Sequence, residues 1–80
     1  KLKFSFKEQR EYETIDADIE AIENSIAKCE AEMAAQTSDY VKLQELTDKK
    51  TRLEAELEEK TERWIYLNDL ADRIEAEKNK

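Results

Sequence analysis

Two heptad runs face each other across a short break, in a chain that contains no glycine and no proline. The first is Tyr12, Ile15, Ile19, Ile22, Ile26, Cys29 and Met33, stepping strictly by three and four. The second is Leu43, Leu46, Lys50, Leu53, Leu57, Lys60, Trp64, Leu67, Ala71 and Ile74, stepping the same way. Between them, Gln36-Thr37-Ser38-Asp39 is the only stretch that reads as a turn. A narrow apolar stripe with no helix breaker on either side of one turn leaves a single economical solution. The expected fold is all-α, a two-helix antiparallel coiled-coil hairpin over residues 1–80.

Local signals place the boundaries. Leu2-Lys3-Phe4-Ser5-Phe6 alternates apolar and polar, which suits a short extended lead-in. Ser5 followed by Glu8 is a capping box, so helix 1 is expected over about 6–35, roughly 45 Å long. The turn falls at 36–38, with Thr37 or Ser38 as the cap of helix 2 and Asp39 against its dipole in the first turn. Helix 2 runs over about 39–76, and the last four residues fray. Five acid-to-base i,i+4 pairs lace it: Glu45–Lys49, Asp48–Arg52, Glu56–Lys60, Glu59–Arg63 and Asp69–Arg73.

Folding about the turn pairs residues whose numbers add to about 75. Ile22 then lies near Leu53, Ile19 near Leu57 and Ile15 near Lys60, while Tyr12 meets Trp64 at the stem. Lys50 and Lys60 occupy seam positions. Their aliphatic stems can pack there while the ammonium groups reach the acidic face of helix 1, and a polar seam residue also disfavours slipped alignments. Ile65, Tyr66 and Leu70 exceed what a two-helix seam needs. Leu2, Phe4 and Phe6 are expected to fold over the Tyr66/Leu70 side as a third element of the stem.

The composition narrows what such a hairpin can do. Of the 80 residues, 44% are charged and 39% apolar, enough for a seam but not for a globular core. No apolar run approaches the roughly 18 residues of a membrane span, and no secretory signal pattern appears. The first residue is Lys1 rather than methionine, which reads as a piece excised from a longer protein. Cys29, the one cysteine, falls on the seam as a small hydrophobe and fits a reducing, cytosolic setting. There is no histidine, and without glycine no phosphate-cradling loop. The carboxylates line a solvated face, and Asp39 at the tip, with Glu32 set well back, does not form an acid pair for a metal. No catalytic or metal site is therefore expected in this segment. Lys49, Lys50 and Arg52 are interleaved with Asp48 and Glu54, which favours pairing within the chain.

Net charge is −7, but it is unevenly spread. Residues 1–10 carry Lys1, Lys3, Lys7 and Arg10 against Glu8 alone, and the tail carries Arg73, Lys78 and Lys80. Residues 11–40 carry nine acids against Lys28. A hairpin brings its two termini together, so the basic segments meet at the stem and the shaft is acidic. A polyanion would be met at the stem. The candidate contacts are Lys1, Lys3, Lys7, Arg10, Arg73, Lys78 and Lys80.

The opening Lys1-Leu2-Lys3-Phe4-Ser5-Phe6-Lys7-Glu8-Gln9-Arg10-Glu11 resembles the K-L-S-Y-K-E-Q-R-E opening of a known module, with Phe4 as an additional residue. Glu62-Arg63-Trp64 near the end of helix 2 resembles a second element of it. Both belong to the C-terminal coiled-coil domain of ABC-F ATP-binding cassette proteins, the Uup-like group. The resemblance implies a bacterial, cytosolic ATPase with two cassettes upstream that bind ATP and magnesium. It also implies a translation factor acting on the ribosome, whose C-terminal hairpin is a DNA- or rRNA-binding module. The other expectation is a purely structural or protein-interaction arm that positions the cassettes. In either case the isolated domain is expected to be a monomer.

Overall fold

A computed structural model describes residues 1–36 and 38–79. Two helices account for nearly all of it, α1 (Phe6–Ala35) and α2 (Tyr40–Lys78), packed antiparallel as a hairpin. The molecule measures 62 × 15 × 15 Å. The 39 residues of α2, at 1.5 Å each about 58 Å, set that length almost alone.

Helix α1 starts where its cap dictates. The Ser5 hydroxyl accepts from Glu8 N–H at 3.1 Å, and the Glu8 carboxylate accepts from Ser5 N–H at 2.9 Å. Two donors that the first turn would otherwise leave open are thereby satisfied. At the other end of the shaft the capping differs from the sequence expectation. Asp39 is the N-cap of α2, its carboxylate accepting from Lys42 N–H at 3.0 Å, so the helix begins at Tyr40. A carboxylate caps as well as a hydroxyl and also opposes the positive helix end, so it displaces Ser38 from the role. Thr37, the other candidate cap, lies outside the described residues. Glu77 and Lys78, expected to fray, are helical, and Asn79 N–H donates to Glu75 O at 3.2 Å.

The seam is asymmetric. The buried residues of α1 are Ile15, Ile22 and Cys29, spaced by seven, so the d row faces straight at the partner. The a row (Tyr12, Ile19, Ile26 and Met33) is half-buried at its flank. On α2, Leu46 and Leu67 are buried. Two helices cannot enclose an a/d seam from all sides, which leaves one row partly wet. Cys29 donates its thiol to Leu46 O at 3.0 Å, a contact in the expected register.

Lys50 and Lys60 behave as snorkelling residues. Lys50 Nζ reaches Glu30 at 3.1 Å and Lys60 Nζ reaches Asp18 at 3.5 Å, both on α1. The lacing of α2 is correspondingly thinner than expected. Asp69–Arg73 closes at 3.1 Å, but Lys60 and Arg63 cross to α1 instead of pairing with Glu56 and Glu59. Among the described residues Glu45–Lys49 and Asp48–Arg52 form no ion pair, and Asp48 accepts from the Gln44 amide at 3.2 Å.

Candidate functional site

The stem is built from the lead-in, the first turns of α1 and the last turns of α2. Its centre is a set of cross-helix hydrogen bonds. Arg63 of α2 donates from Nε to Glu11 Oε2 at 2.8 Å and from Nη2 to Glu11 Oε1 at 3.0 Å. The same guanidinium lies 4.7 Å from the centre of the Tyr66 ring. Tyr66 in turn donates its hydroxyl to Glu8 Oε2 at 2.7 Å. Glu8 thus caps α1 with one oxygen and receives α2 with the other. One turn away, Trp64 Nε1 donates to Asp16 at 2.6 Å.

These contacts shift the ionisation of the groups that make them. Glu8 is held below the usual carboxylate range, first by the Ser5 backbone N–H and then by the Tyr66 hydroxyl. Glu11 is lowered chiefly by the hydrogen bonds from Arg63, whose own pKa is raised by the same pair. Tyr66 is raised because its neutral hydroxyl is held by the Glu8 carboxylate.

Beside this clasp the lead-in lies along α2. Leu2 N–H donates to both oxygens of Glu77, at 3.1 and 3.3 Å. Phe4 packs on Tyr12 with ring centres 5.0 Å apart and planes tilted by 32°. The lead-in and the end of α2 enclose an open groove lined by Leu2, Phe4 and Ile74, by Lys1, Lys3 and Lys78, and by Gln9 and Glu77. Phe6 departs from the expected stem core. It is 79% exposed, with the Arg10 guanidinium 5.7 Å from its ring centre. It is the first residue of α1 and stays in solvent, whereas Phe4 of the lead-in packs on Tyr12. Trp64, at 38% exposure, lies at the edge of the seam rather than sealed within it.

The candidate contact residues divide accordingly. Lys1, Lys3 and Lys78 converge on the groove. Lys7 and Arg10 are exposed on the first turns of α1, outside the groove lining. Arg73 is exposed but bound to Asp69 on its own helix. Lys80 lies outside the described residues. Sequence reasoning missed the Arg63–Glu11 and Tyr66–Glu8 pairs, although the register rule that aligned the seam places these residues opposite one another. Carrying that rule from the apolar seam to its charged flanks finds both.

Comparison with known proteins matches the chain to a family and to a relative. The family model described as ABC transporter C-terminal domain matches residues 3–69. An uncharacterized ABC transporter ATP-binding protein of Bacillus subtilis (strain 168), YfmR, is 34% identical over 74 residues. That alignment takes in 92% of this chain but 12% of the relative's length. No solved structure matches the chain significantly.

Proposed function

Because this chain belongs to the ABC transporter C-terminal domain family, we propose that it is the C-terminal appendage of a cytoplasmic, ABC-F-type (Uup-like) ATPase, and that its stem binds nucleic acid. The target would be DNA or ribosomal RNA, the latter in a translation-associated role. ATP and magnesium would belong to cassettes elsewhere in the longer protein.

The observation that carries this reading is how the cations are deployed. Lys50 and Lys60 of the shaft are committed to Glu30 and Asp18 of α1, and Arg63 of the stem to Glu11. At the stem, Lys1, Lys3, Lys7, Arg10 and Lys78 are exposed and take no part in the ion pairs of the described residues. Lys28, Lys42, Lys49 and Arg52 of the shaft are likewise exposed and outside those pairs, but they are set among many more acids, so a polyanion would meet its least opposed counter-charges at the stem. Four to five phosphate contacts give weak, strongly salt-dependent binding, with a logarithmic slope of about −0.9 per phosphate neutralised on duplex DNA. A titration by fluorescence anisotropy at about 50 mM salt tests it. Binding that weakens with salt, and on replacing Lys1, Lys3, Lys7 and Arg10 by glutamine, supports the reading. An absence of binding to both DNA and RNA would sink it.

A second reading, a structural arm that positions the cassettes, is favoured by the clasp. Glu8, Glu11, Arg63 and Trp64, all within the two signature elements, are engaged in bonds across the hairpin. On that reading, breaking the clasp alters the ATPase activity of the longer protein while nucleic acid has no effect on it.

A further inference from the structure

We propose that the stem groove is a site for single-stranded nucleic acid, with an unstacked base against Phe4 and the flanking phosphates on Lys1, Lys3 and Lys78. The inference rests on the nucleic-acid reading above and adds the class of substrate. A duplex turns phosphate and sugar outward, so a surface that binds it nonspecifically needs charge alone. This groove has more than charge. Its lining combines the apolar Leu2, Phe4 and Ile74 with Lys1, Lys3 and Lys78; Leu2 is 40% exposed, and Phe4 and Ile74 are half-buried. Partly exposed apolar side chains beside three lysines suit a ligand with a flat apolar face and regularly spaced negative charges. A splayed-out base on its phosphodiester strand has both.

The groove is also held in shape before any ligand arrives. Phe4 rests on Tyr12, which supports one side of its ring at 5.0 Å. The lead-in is pinned on one side of Phe4 by Leu2 N–H on Glu77 and on the other by the Ser5–Glu8 capping box. A ligand therefore need not order this segment as it binds. Glu77 is the one acid among the lining residues. Both its oxygens accept from Leu2 N–H, so its charge is engaged in holding the lead-in.

The test compares oligothymidylate of about 12 nucleotides with a duplex of equal length, in anisotropy titrations on the 80-residue chain. The single strand is expected to bind more tightly. Phe4→Leu, which keeps an apolar side chain but removes the ring, should weaken single-strand binding about tenfold and leave duplex binding unchanged. Phe4→Trp should bind the single strand at least as well, with its indole fluorescence quenched on binding in a Trp64→Phe background. This second variant decides the matter if Phe4→Leu loosens the lead-in. Equal or tighter binding of duplex, or an unquenched indole in the bound complex, overturns the single-strand site while leaving the nucleic-acid reading intact. Failure to bind either form overturns both.

Discussion

Arg63 and Glu11 are 52 residues apart in sequence, yet they meet through two parallel hydrogen bonds of 2.8 and 3.0 Å. A planar guanidinium fits a carboxylate in this way, and a lysine at the same position could not reproduce the fork. The pair holds the first turns of α1 to α2 beside the groove. It also links the two sequence elements that carry the family resemblance, Lys1–Glu11 and Glu62–Trp64.

A double-mutant cycle on this pair should show a coupling of about 0.5–1 kcal/mol, kept modest because both side chains remain partly exposed to solvent. Arg63→Lys should recover less than half of the loss from Arg63→Ala. Urea denaturation of the four proteins checks both. Additive single losses would mean the bonds contribute no net stability.

Stability should respond to pH at both ends, through the stem and through Lys50 of the shaft. Glu8 and Glu11 have folded-state pKa values below the ordinary 4.5. Their contribution is complete above about that pH and disappears as pH falls through the lowered values. Tyr66 and Lys50 are raised above 10.0 and 10.5, the latter by Glu30. Their contribution is complete below those values and lost as pH rises through the raised ones. Because the remaining acids also titrate, the measurement is a difference. Glu8→Gln with Glu11→Gln should flatten the acid limb of the melting profile relative to the parent, and Tyr66→Phe should flatten the alkaline limb.

Replacing Lys50 and Lys60 together by leucine should raise the melting temperature, since each stem already lies at the seam. The cost should appear in specificity. An uninterrupted leucine seam admits slipped and intermolecular pairings, so light scattering should detect elongated dimers alongside the monomer. A purely monomeric variant would remove the register role from these lysines.

Cys29 should be inert to thiol reagents in the folded chain and react only on unfolding, because its side chain is 1% exposed and its thiol is bound to Leu46 O. Cys29→Ala should cost about 1 kcal/mol, from a small void and a weakened contact to a buried carbonyl. Reaction rates with and without urea, together with the urea midpoint of the variant, check both statements.

The hairpin was legible in the residues because its causes are local or periodic. The three-four stepping of the isoleucines and leucines, the Ser5–Glu8 box and the absence of breakers each act within a turn or two of helix. Cap choice at the far end was less so, since Ser38 and Asp39 are both good caps and Asp39 takes the role through its bond from Lys42 N–H. The stem was misread in part. Phe6 was expected inside, but whether an aromatic at the start of a helix points in or out depends on where the lead-in crosses its partner.

Pattern and charge in the chain were enough to dictate two antiparallel helices, their register, an acidic shaft and a basic stem. All of these follow from spacing along a helix and from the reversal at one turn. Which cations remain available was settled only by the packed hairpin. Lys60 and Arg63 each had a partner four residues away on the same helix, and both turned instead to the acidic face of α1. Tertiary contact won because α1 brings a dense row of carboxylates alongside α2, where a bond across the hairpin holds both helices rather than one. The groove between Phe4 and Ile74 has the same origin, since its two walls are 70 residues apart and exist only once the ends have met.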